Sequence, residues 1–406
     1  MSMFRFTAGD CRAHAAPLFA ALVAFATIAA GAADYYVDCE KGDDANDGLS
    51  ATAAFRTFAC AAARLKPGDA LNLMPGQVYG ETLFMTAGGT PALPIVIRGN
   101  GATIDGLKPI ADSSWQNRGD GLFFSPNNRC WGAHDPQVVD ANGAVISLDP
   151  VTRRRIPVAK LAPGQAGWNK EGTWYRSADG RPPKGLSGYF LGEGVNISSG
   201  ASYIIVENLT CEHVSNDGFN VHGSCIGLVF RDIVGRNCGD EGISVHEDVQ
   251  AVVYNGLFSG NGNGICDICA SQTQYFGCTA VSNRMYGAAF YGGSHALYDC
   301  TVGGNGGDQF YATSGTLRSY GFAADSPALR GLAYLKGTRI TGGAGAAVAV
   351  HGGASVHADQ CEFAGTKTGA HVGKGSTLHV TRTEWGGFTG ERTHVDDGGT
   401  LKEDKP

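Results

Sequence analysis

Short segments of alternating apolar and polar residues recur throughout residues 203–399. Each repeat opens with a polar or glycine residue and a mostly apolar one, and the openings are 24, 24, 21, 22, 38, 23 and 22 residues apart. They are Asn208-Leu209, Asp232-Ile233, Gly256-Leu257, Gly277-Cys278, Asp299-Cys300, Gly337-Thr338, Gln360-Cys361 and Arg382-Thr383. A period of this length with Gly, Asn or Asp corners predicts a β-solenoid, because one rung cannot bury its own apolar face.

Two segments depart from the repeat. The 38-residue step contains an insertion around residues 319–329. Near the N-terminus, residues 53–66 have helical periodicity, with Phe58, Ala62 and Leu65 on one face. We expect this helix to cap the open end of the solenoid, as terminal elements of repeat proteins do.

The pattern divides the chain into four segments. Residues 1–33 are predicted to be a secretory signal, because two arginines precede an apolar run that ends in small residues. The other segments are the cap and first rungs (34–106), an aromatic-rich insertion (107–190) and the regular coil (191–401). The apolar run is too short for a membrane span. We therefore expect a secreted protein, extracellular or periplasmic, without a membrane span and monomeric.

Composition agrees with this architecture. The chain has 61 glycines in 406 residues and 17% charged residues, which suits a protein made of tight corners. Its net charge of −7 argues against nucleic acid as a partner, since phosphates require a basic surface. An anionic polymer would need local cations or a bound metal to dock.

The cysteines are read mainly as structural. Cys278, Cys300 and Cys361 occupy a repeat position that holds Leu209, Ile233 and Leu257 in other rungs. They are therefore predicted to be small buried residues stacked inside the coil. Cys39 and Cys60 lie near the cap, where a disulfide bond between them is possible.

The opening of the chain carries a family resemblance. The residues that carry it are Tyr35-Tyr36-Val37-Asp38, Gly42-Asp43-Asp44-Ala45-Asn46-Asp47-Gly48, Phe55-Arg56-Thr57, Lys66-Pro67-Gly68-Asp69 and Pro75-Gly76 with Tyr79. This start resembles that of exported right-handed parallel β-helix proteins, a group that includes pectate and alginate lyases and β-helical glycosidases. The resemblance implies an all-β, right-handed parallel β-helix and a polysaccharide or oligosaccharide substrate.

Alignment of the rungs on their corner glycines predicts which side chains are neighbours. Gly218, Gly242, Gly264 and Gly287 coincide, so alternation points Phe219, Ile243 and Ile265 inward. One outward column then contains Asn220, Ser244, Cys266 and Ala289. A second outward column contains His222, His246, Ile268 and Tyr291, and it is predicted to continue through Tyr311 to His351. Asp217 is predicted to stack on Glu241, and Asn216 on Asp240, about 4.8 Å apart.

These acids have two interpretations. Asp or Asn before Gly is ordinary corner chemistry in a solenoid. Stacked carboxylates repel one another, however, which indicates a cation, a shared proton or a catalytic role. Two histidines in register beside them strengthen the second interpretation.

Two enzyme families offer comparisons for this face. The run Asn216-Asp217-Gly218 followed by Asp240-Glu241 resembles polygalacturonases, although Asn263 replaces their histidine and their Arg-x-Lys is absent. The same acids also resemble the Ca²⁺ cluster of β-helical pectate lyases. The chain has no lysine between Lys184 and Lys336, so the base would come from Arg231, Arg236, Arg284, His222, His246 or Tyr291.

The insertion offers a second candidate surface. Trp168, Trp174 and Tyr175, with the arginines at 153–155, would wall a groove for an acidic polysaccharide. The alternative is that these rings pack a small core of the insertion itself.

We derive three functional hypotheses. The first is a lyase that cleaves a uronate-containing glycan, with Ca²⁺ held by Asp217, Asp240 and Glu241, with His222 or His246 as base, and with Tyr291 or Arg284 assisting the leaving oxygen. The second is a glycoside hydrolase that uses two of the three acids. The third is a β-helix that binds glycan without cleaving it.

Overall fold

The computed structural model describes residues 31–126, 137–152, 154–315 and 329–404. Most of the predicted secretory signal, most of the insertion near residue 320, Trp131 and Arg153 lie outside the described residues. The described chain forms a 28-stranded parallel sheet wound into a coil, plus two small antiparallel sheets of four and three strands. The predicted parallel β-solenoid is therefore confirmed.

The strands fall into three groups along the chain. The first rungs contain β1 (Asp34–Val37), β2 (Ala70–Leu73), β3 (Val78–Tyr79), β4 (Leu83–Met85) and β5 (Ile95–Asp105). The small sheets contain β6 (Leu107–Pro109), β7 (Gln116–Asn117), β8 (Leu122–Ser125), β9 (Val138–Val139), β10 (Ala166–Asn169), β11 (Gly172–Arg176) and β12 (Ser187–Tyr189).

The remaining strands belong to the coil. Its central rungs contain β13 (Val195–Ile197), β14 (Ile204–Glu212), β15 (Phe219–Val221), β16 (Leu228–Arg231), β17 (Val234–Arg236), β18 (Glu241–Val245), β19 (Gln250–Tyr254), β20 (Leu257–Ser259), β21 (Asn263–Phe276), β22 (Thr279–Val281) and β23 (Ala288–Tyr298). The last rungs contain β24 (Thr301–Gly303), β25 (Phe310–Thr313), β26 (Leu332–Lys336), β27 (Arg339–Thr341), β28 (Ala346–His351), β29 (Ser355–Asp359), β30 (Glu362–Ala364), β31 (Thr368–Val372), β32 (Thr377–Thr381), β33 (Glu384–Gly386), β34 (Thr393–Val395) and β35 (Thr400–Asp404).

The coil has three faces, and each rung contributes a strand to each face. In one rung, β16 lies on the first face, β17 on the second and β18 on the third. They pair in parallel with β19, β20 and β21 of the next rung. Side chains one rung apart therefore lie in columns along each face, which is the condition for residues about 22 positions apart to form a site.

A single left-handed residue makes the corner between the first and second faces. These residues are Asn208, Asp232, Asn255, Gly277, Asp299, Gly337, Gln360 and Arg382, with φ between 48° and 61°. Asparagine, aspartate and glycine tolerate this conformation best, which explains why they open the repeats.

One repeat position is corrected by the structure. The corner of the third repeat is Asn255, not Gly256, and Leu257 pairs with Val234 instead of lying level with Ile233. Leu257 is consequently 37% exposed. The error arises because Asn255 and Gly256 both suit a corner.

The residues after the other corners point into one continuous core. Cys278, Cys300 and Cys361 are buried there as free thiols, as predicted. Cys39 and Cys60 are also free, so the suggested disulfide bond between them is wrong. The Cys39 thiol lies against Gln77 and Val78, whereas the Cys60 thiol lies against Asp44.

The predicted helix is shorter than expected. In the described ranges only α1 (Phe58–Ala62) is α-helical, and three-residue 3₁₀ helices occur at Ala51–Ala53, Asp112–Ser114 and Val158–Lys160. The Thr57 hydroxyl caps α1 by accepting a hydrogen bond from the Cys60 N–H. Phe58 stacks on Tyr79 at 4.8 Å, so the helix buries its apolar face against the first rungs.

The strands β6 to β12 pair only with one another among the described residues. They enclose a small core of their own, which includes Ile110, Trp115, Phe123 and Leu186. The chain leaves this unit at Tyr189 and rejoins the coil as β13, which lies between β4 and β15. The four segment boundaries given above stay predictions.

Candidate functional site

The third face brings two of the predicted acids together. Phe219 pairs with Ile243, so the residues two positions earlier, Asp217 and Glu241, lie one above the other. The Glu241 N–H donates a hydrogen bond of 3.0 Å to Asp217 Oδ1. The Asp240 N–H donates to the Asn216 carbonyl at 3.0 Å, which places the third acid beside them.

Asp217, Asp240 and Glu241 form what we call the carboxyl cluster. One carboxylate oxygen from each lies within 4.8 Å of the others. Asp217 and Glu241 are only 2% and 7% exposed, whereas Asp240 is half-buried. The cluster thus has two embedded members and one that faces the surface.

Two neutral amides hold the embedded acids. The Asn216 side chain donates to Asp217 Oδ2 at 3.2 Å, and the Asn263 side chain donates to Glu241 Oε1 at 2.8 Å. Such bonds fix the carboxyl groups in place without supplying charge. Asn263 stands where the polygalacturonase pattern has histidine, and it orients Glu241.

The electrostatics of the cluster favour a proton on Glu241. Burial raises the pKa of its carboxyl well above the usual value, and the nearby charges of Asp217 and Asp240 raise that pKa further. Three carboxylates this close cannot all be ionised without a cation. A protonated carboxylic acid therefore sits beside two other acids, or a cation balances all three.

Arg284 supports the loop that carries Asp240. Its guanidinium donates to the carbonyl of Cys238 at 3.4 Å and to that of Gly239. Because Gly239 directly precedes Asp240, this predicted residue lies beside the carboxyl cluster. Arg231 and Arg236 instead lie near Glu207 and Glu212 on the first and second faces.

Tyr291 lies in the outward column of His222 and His246, two rungs from His246. It packs with Cys266, Tyr286 and Tyr311 in a small apolar cluster outside the main core. Burial raises the pKa of the Tyr291 phenol far above its usual value, and the charge of Glu241 contributes. A phenol in this state donates a hydrogen bond but does not act as a base.

The structure separates the two histidines from the acids. His222 and His246 stack at 4.0 Å between ring centroids, as the column predicts. Each follows its acid, Asp217 or Glu241, by five residues along the third face, which amounts to about 16 Å at roughly 3.3 Å per residue. The acids and the imidazoles thus form two separate clusters, and a single active centre that uses both stays a prediction.

The histidines have their own polar partners. His222 Nδ1 lies 3.3 Å from Glu247 Oε2, and His246 Nε2 lies 2.8 Å from the Ser244 hydroxyl. They form a second cluster at the far end of β15 and β18.

The outward column also needs correction beyond Tyr291. Tyr291 pairs with Thr313, and Thr313 pairs with His351, so His351 belongs to this column. Tyr311 pairs with Ala289 and lies in the neighbouring column. The alignment failed here because β25 has no corner glycine directly before it.

Tyr286 was missed in the sequence, and Asn263 was named without its contact with Glu241. Asn263 and Tyr286 precede the aligned glycines Gly264 and Gly287, the same position that Asp217 and Glu241 occupy in their rungs. The residue before the corner glycine therefore generates the surface of the site. That signal was present in the alignment.

Trp168, Trp174 and Tyr175 of the insertion are half-buried, and each packs on a neighbouring side chain. Arg155 lies over the Trp168 ring at 3.8 Å, and Trp174 lies 4.5 Å from Phe124. Trp115 contacts Tyr175 edge-on. These contacts support the interpretation that the rings build a core for the insertion, so the predicted sugar-stacking wall stays a hypothesis.

The insertion nevertheless ends at the site. Its last strand brings the Tyr189 ring to 5.5 Å from His213. The next residues, Leu191 and Gly192, accept hydrogen bonds from the N–H groups of Ser215 and Asn216. The chain leaving the insertion thus forms the rung below the carboxyl cluster.

Comparison with known proteins shows the fold. No protein-family model and no curated protein matches the sequence. A solved structure of XylC in complex with xylose is 12% identical, covers 87% of this chain and 69% of its own, and superimposes with a TM-score of 0.55. The pectate lyase Pel9A is 13% identical, with coverage of 93% and 80% and a TM-score of 0.48. At this level of identity the similarity confirms a right-handed parallel β-helix.

Among the described residues, no helix has the length and apolar character needed to cross a membrane.

Proposed function

We propose that this protein is a polysaccharide-cleaving enzyme that hydrolyses a glycosidic bond at the carboxyl cluster. Glu241 serves as the general acid, and Asp217 or Asp240 serves as the second carboxylate. The observation that carries the proposal is the close contact of these three carboxyl groups on the outer surface of the third face.

The cluster contains the parts that glycoside hydrolysis requires. Such enzymes use one carboxylic acid that protonates the leaving oxygen and one carboxylate that acts as base or nucleophile. Burial keeps a proton on Glu241, while the half-buried Asp240 is accessible. The different environments of the two groups assign their roles.

Arg284 acts beside the acids, whereas Tyr291 lies in the column of His222 and His246 and is near enough for the charge of Glu241 to raise the pKa of its phenol. The Arg284 guanidinium holds the Cys238 and Gly239 carbonyls, which positions Asp240. Tyr291 supplies a phenol that stays protonated, suited to donating a hydrogen bond to a substrate oxygen. Neither group needs to lose a proton in this scheme.

A lyase acting on a uronate-containing glycan is the second candidate. Its support is the donor set, because three carboxylates suit Ca²⁺, which prefers six to eight oxygen ligands. Asp217, Asp240 and Glu241 would hold the ion, with water or substrate completing the shell. A bound Ca²⁺ would neutralise the substrate carboxylate and make the C5 proton more acidic.

The lyase candidate has less support because each predicted base among the described residues either lies in another cluster or holds its proton firmly. His222 and His246 lie at the other end of the strands. Of the remaining predicted groups, arginine keeps its proton at any ordinary pH. The raised pKa of Tyr291 makes that phenol a poor base as well.

We further propose that the substrate is a secreted or cell-surface glycan and that the protein is exported as a monomer. The apolar run in residues 18–25 and the low content of charged residues in the coil support export. The aromatic insertion, which ends at the site, is the part of the chain placed to contact further sugar units.

One assay separates the candidates. The purified protein is incubated with pectate, alginate, glycosaminoglycans and neutral xylans, with added Ca²⁺ or with EDTA. New reducing ends that are insensitive to EDTA, without ultraviolet absorbance from an unsaturated product, are expected for hydrolysis. Unsaturated product that disappears with EDTA would contradict hydrolysis and support the lyase.

Glycan retention distinguishes the third hypothesis. If no glycan in the panel is cleaved but one is retained in a pull-down assay, the protein is a binding module and the proposal is wrong. Comparison with the Asp240→Ala variant then tells whether the carboxyl cluster contributes to retention.

A further inference from the structure

A second group of ligand-type side chains lies at the other end of the molecule. His371 on β31 pairs with His394 on β34, and Asp396 follows the end of β34. One nitrogen of each imidazole and one Asp396 oxygen lie within 4.8 Å of one another. None of these residues takes part in the function proposed above.

Both imidazoles converge on the same carboxylate oxygen. His371 Nε2 lies 3.4 Å and His394 Nε2 lies 3.3 Å from Asp396 Oδ1. A charge-assisted N–H···O bond is shorter, at about 2.7–2.9 Å. Ligands at about 2.0–2.1 Å around a tetrahedral metal ion are separated by about 3.3–3.4 Å, which is the spacing found here.

A third carboxylate fixes the orientation of one ring. His394 Nδ1 lies 3.0 Å from Glu391 Oε1. Histidines that bind metals commonly donate their second ring N–H to a carboxylate in this way. In the neutral ring with the proton on Nδ1, the lone pair of Nε2 faces Asp396, so two electron-rich atoms oppose each other unless Nε2 is also protonated or a cation lies between them.

We propose that His371, His394 and Asp396 bind a divalent transition-metal ion of the Zn²⁺ type. Two imidazole nitrogens and one carboxylate oxygen suit Zn²⁺ better than Ca²⁺, which prefers an all-oxygen set. The ion joins two adjacent rungs and leaves a fourth position for water. Glu391 is a positioning residue for His394.

Among the other histidine pairs of the described chain, His222 and His246 also come within 4.8 Å of each other and of Glu247 by one ligand atom each. In the cluster of His222 and His246, the His246 Nε2 faces the Ser244 hydroxyl. His379 lies 3.0 Å from Asp404 and stacks on His357 at 4.7 Å. His379 is therefore a matched control, exposed to a similar degree on the neighbouring face.

The test uses metal-free full-length protein titrated with Zn²⁺ by calorimetry and with Co²⁺ by visible absorption. Wild type is expected to bind one Zn²⁺ more than His394→Ala and to show a tetrahedral Co²⁺ spectrum that this variant lacks. Asp396→Asn should lose the same site, and Glu391→Gln should weaken it about 10–100-fold. His379→Ala should match wild type.

The proposal fails if wild type and His394→Ala bind the same number of Zn²⁺ ions, or if His379→Ala loses as much as His394→Ala. Thermal unfolding without metal checks that each variant is folded. If His394→Ala does not fold, Asp396→Asn decides the question, because its side chain keeps the size of aspartate. Cleavage of glycans is not a readout, so failure here leaves the proposed function untouched.

Discussion

Two buried carboxyl groups on adjacent rungs of the third face have opposite surroundings. Glu241 opens β18 on the outside of the coil, where its neighbours are two further acids. Asp267 lies on β21, pairs with Val245 and points into the interior. Burial raises the pKa of both carboxyl groups. Burial alone therefore does not identify a functional acid.

The difference lies in what surrounds each carboxyl. Asp267 accepts hydrogen bonds from the hydroxyls of Thr273 at 2.6 Å and Tyr275 at 3.0 Å. His295 lies 3.5 Å away and is also fully buried. This network is closed within the coil, and its Asp267–His295 pair has no room for a substrate. Asp267 is therefore a structural acid, whereas the Glu241 carboxyl lies beside the carboxyl groups of Asp217 and Asp240.

The largest expected difference between the two acids is in the rate of glycan cleavage after each is replaced. Glu241→Gln keeps the size of the side chain and its bond to Asn263 but removes the proton donor. We expect the rate of glycan cleavage to fall about 10³-fold, since a positioned acid contributes 10²–10⁴-fold. Initial rates on the substrate found in the panel measure this effect.

The matched control is Asp267→Asn, assayed at a temperature where it stays folded. It should retain cleavage within about threefold, because it lies inside the coil and touches no substrate. Equal losses in the two variants would contradict the assignment of Glu241.

The sequence predicted the fold and half of the site for identifiable reasons. Corner residues such as Asn208 and Asp232 adopt φ > 0, which few residue types tolerate. Their positions in the sequence therefore predict how the rungs align. That register placed Asp217 on Glu241. It did not say where along the strand a cluster ends, and so the acids and His246 were joined although five residues separate them.

The interior network could not be predicted from the repeat. The alternation of side chains along the strand places Asp267 in the core, where the repeat predicts an apolar residue. The sequence therefore does not explain why an acid is there. Its partners Thr273, Tyr275 and His295 come from the first face across the coil. Only the three-dimensional closure of the rung shows that they meet.

Removal of the interior acid should reduce stability rather than chemistry. Asp267→Ala leaves the buried hydroxyls of Thr273 and Tyr275 without their acceptor. We expect a loss of about 3 kcal/mol in the free energy of unfolding, since each unsatisfied buried group costs about 1–3 kcal/mol. Urea denaturation followed by circular dichroism measures it.

The control for this loss is Asp248→Ala, on the surface at the end of the preceding rung, where it should change stability by no more than about 0.5 kcal/mol. If Asp267→Ala is no less stable than this control, the network does not stabilise the coil.

The same network predicts an unusual pH dependence. Burial raises the pKa of Asp267 to about 7 and lowers the pKa of His295 to about 4. The Asp267 contribution is present below its unfolded pKa, near 4, and is lost as the pH rises through about 7. The His295 contribution is present above about pH 6.5 and is lost as the pH falls through about 4. Between about pH 4 and 6.5 the folded and unfolded states hold equal numbers of protons on this pair. The two contributions to the pH dependence of the free energy of unfolding therefore cancel.

In wild type the two pH dependences of the free energy of unfolding cancel, and single variants should reveal each one separately. Relative to wild type, Asp267→Asn should lose stability as the pH falls from about 6.5 to 4, because His295 then titrates alone. His295→Gln should lose stability as the pH rises from about 4 to 7. Each slope is at most about 1.4 kcal/mol per pH unit. Urea midpoints at several pH values measure them, and slopes of the same sign in both variants would contradict the pairing.

The smallest expected effect concerns the far end of the outer face. His222→Asn and His246→Gln alter a cluster whose histidines follow Asp217 and Glu241 by five residues, which is about 16 Å of strand at roughly 3.3 Å per residue. If the carboxyl cluster alone performs the reaction, each variant should keep the cleavage rate within about threefold, whereas loss of a catalytic base costs 10²–10⁴-fold. The pH–rate profile should also keep its shape. If either variant loses most of its cleavage rate while staying folded, a histidine takes part in catalysis. That result would favour proton abstraction from a uronate over hydrolysis.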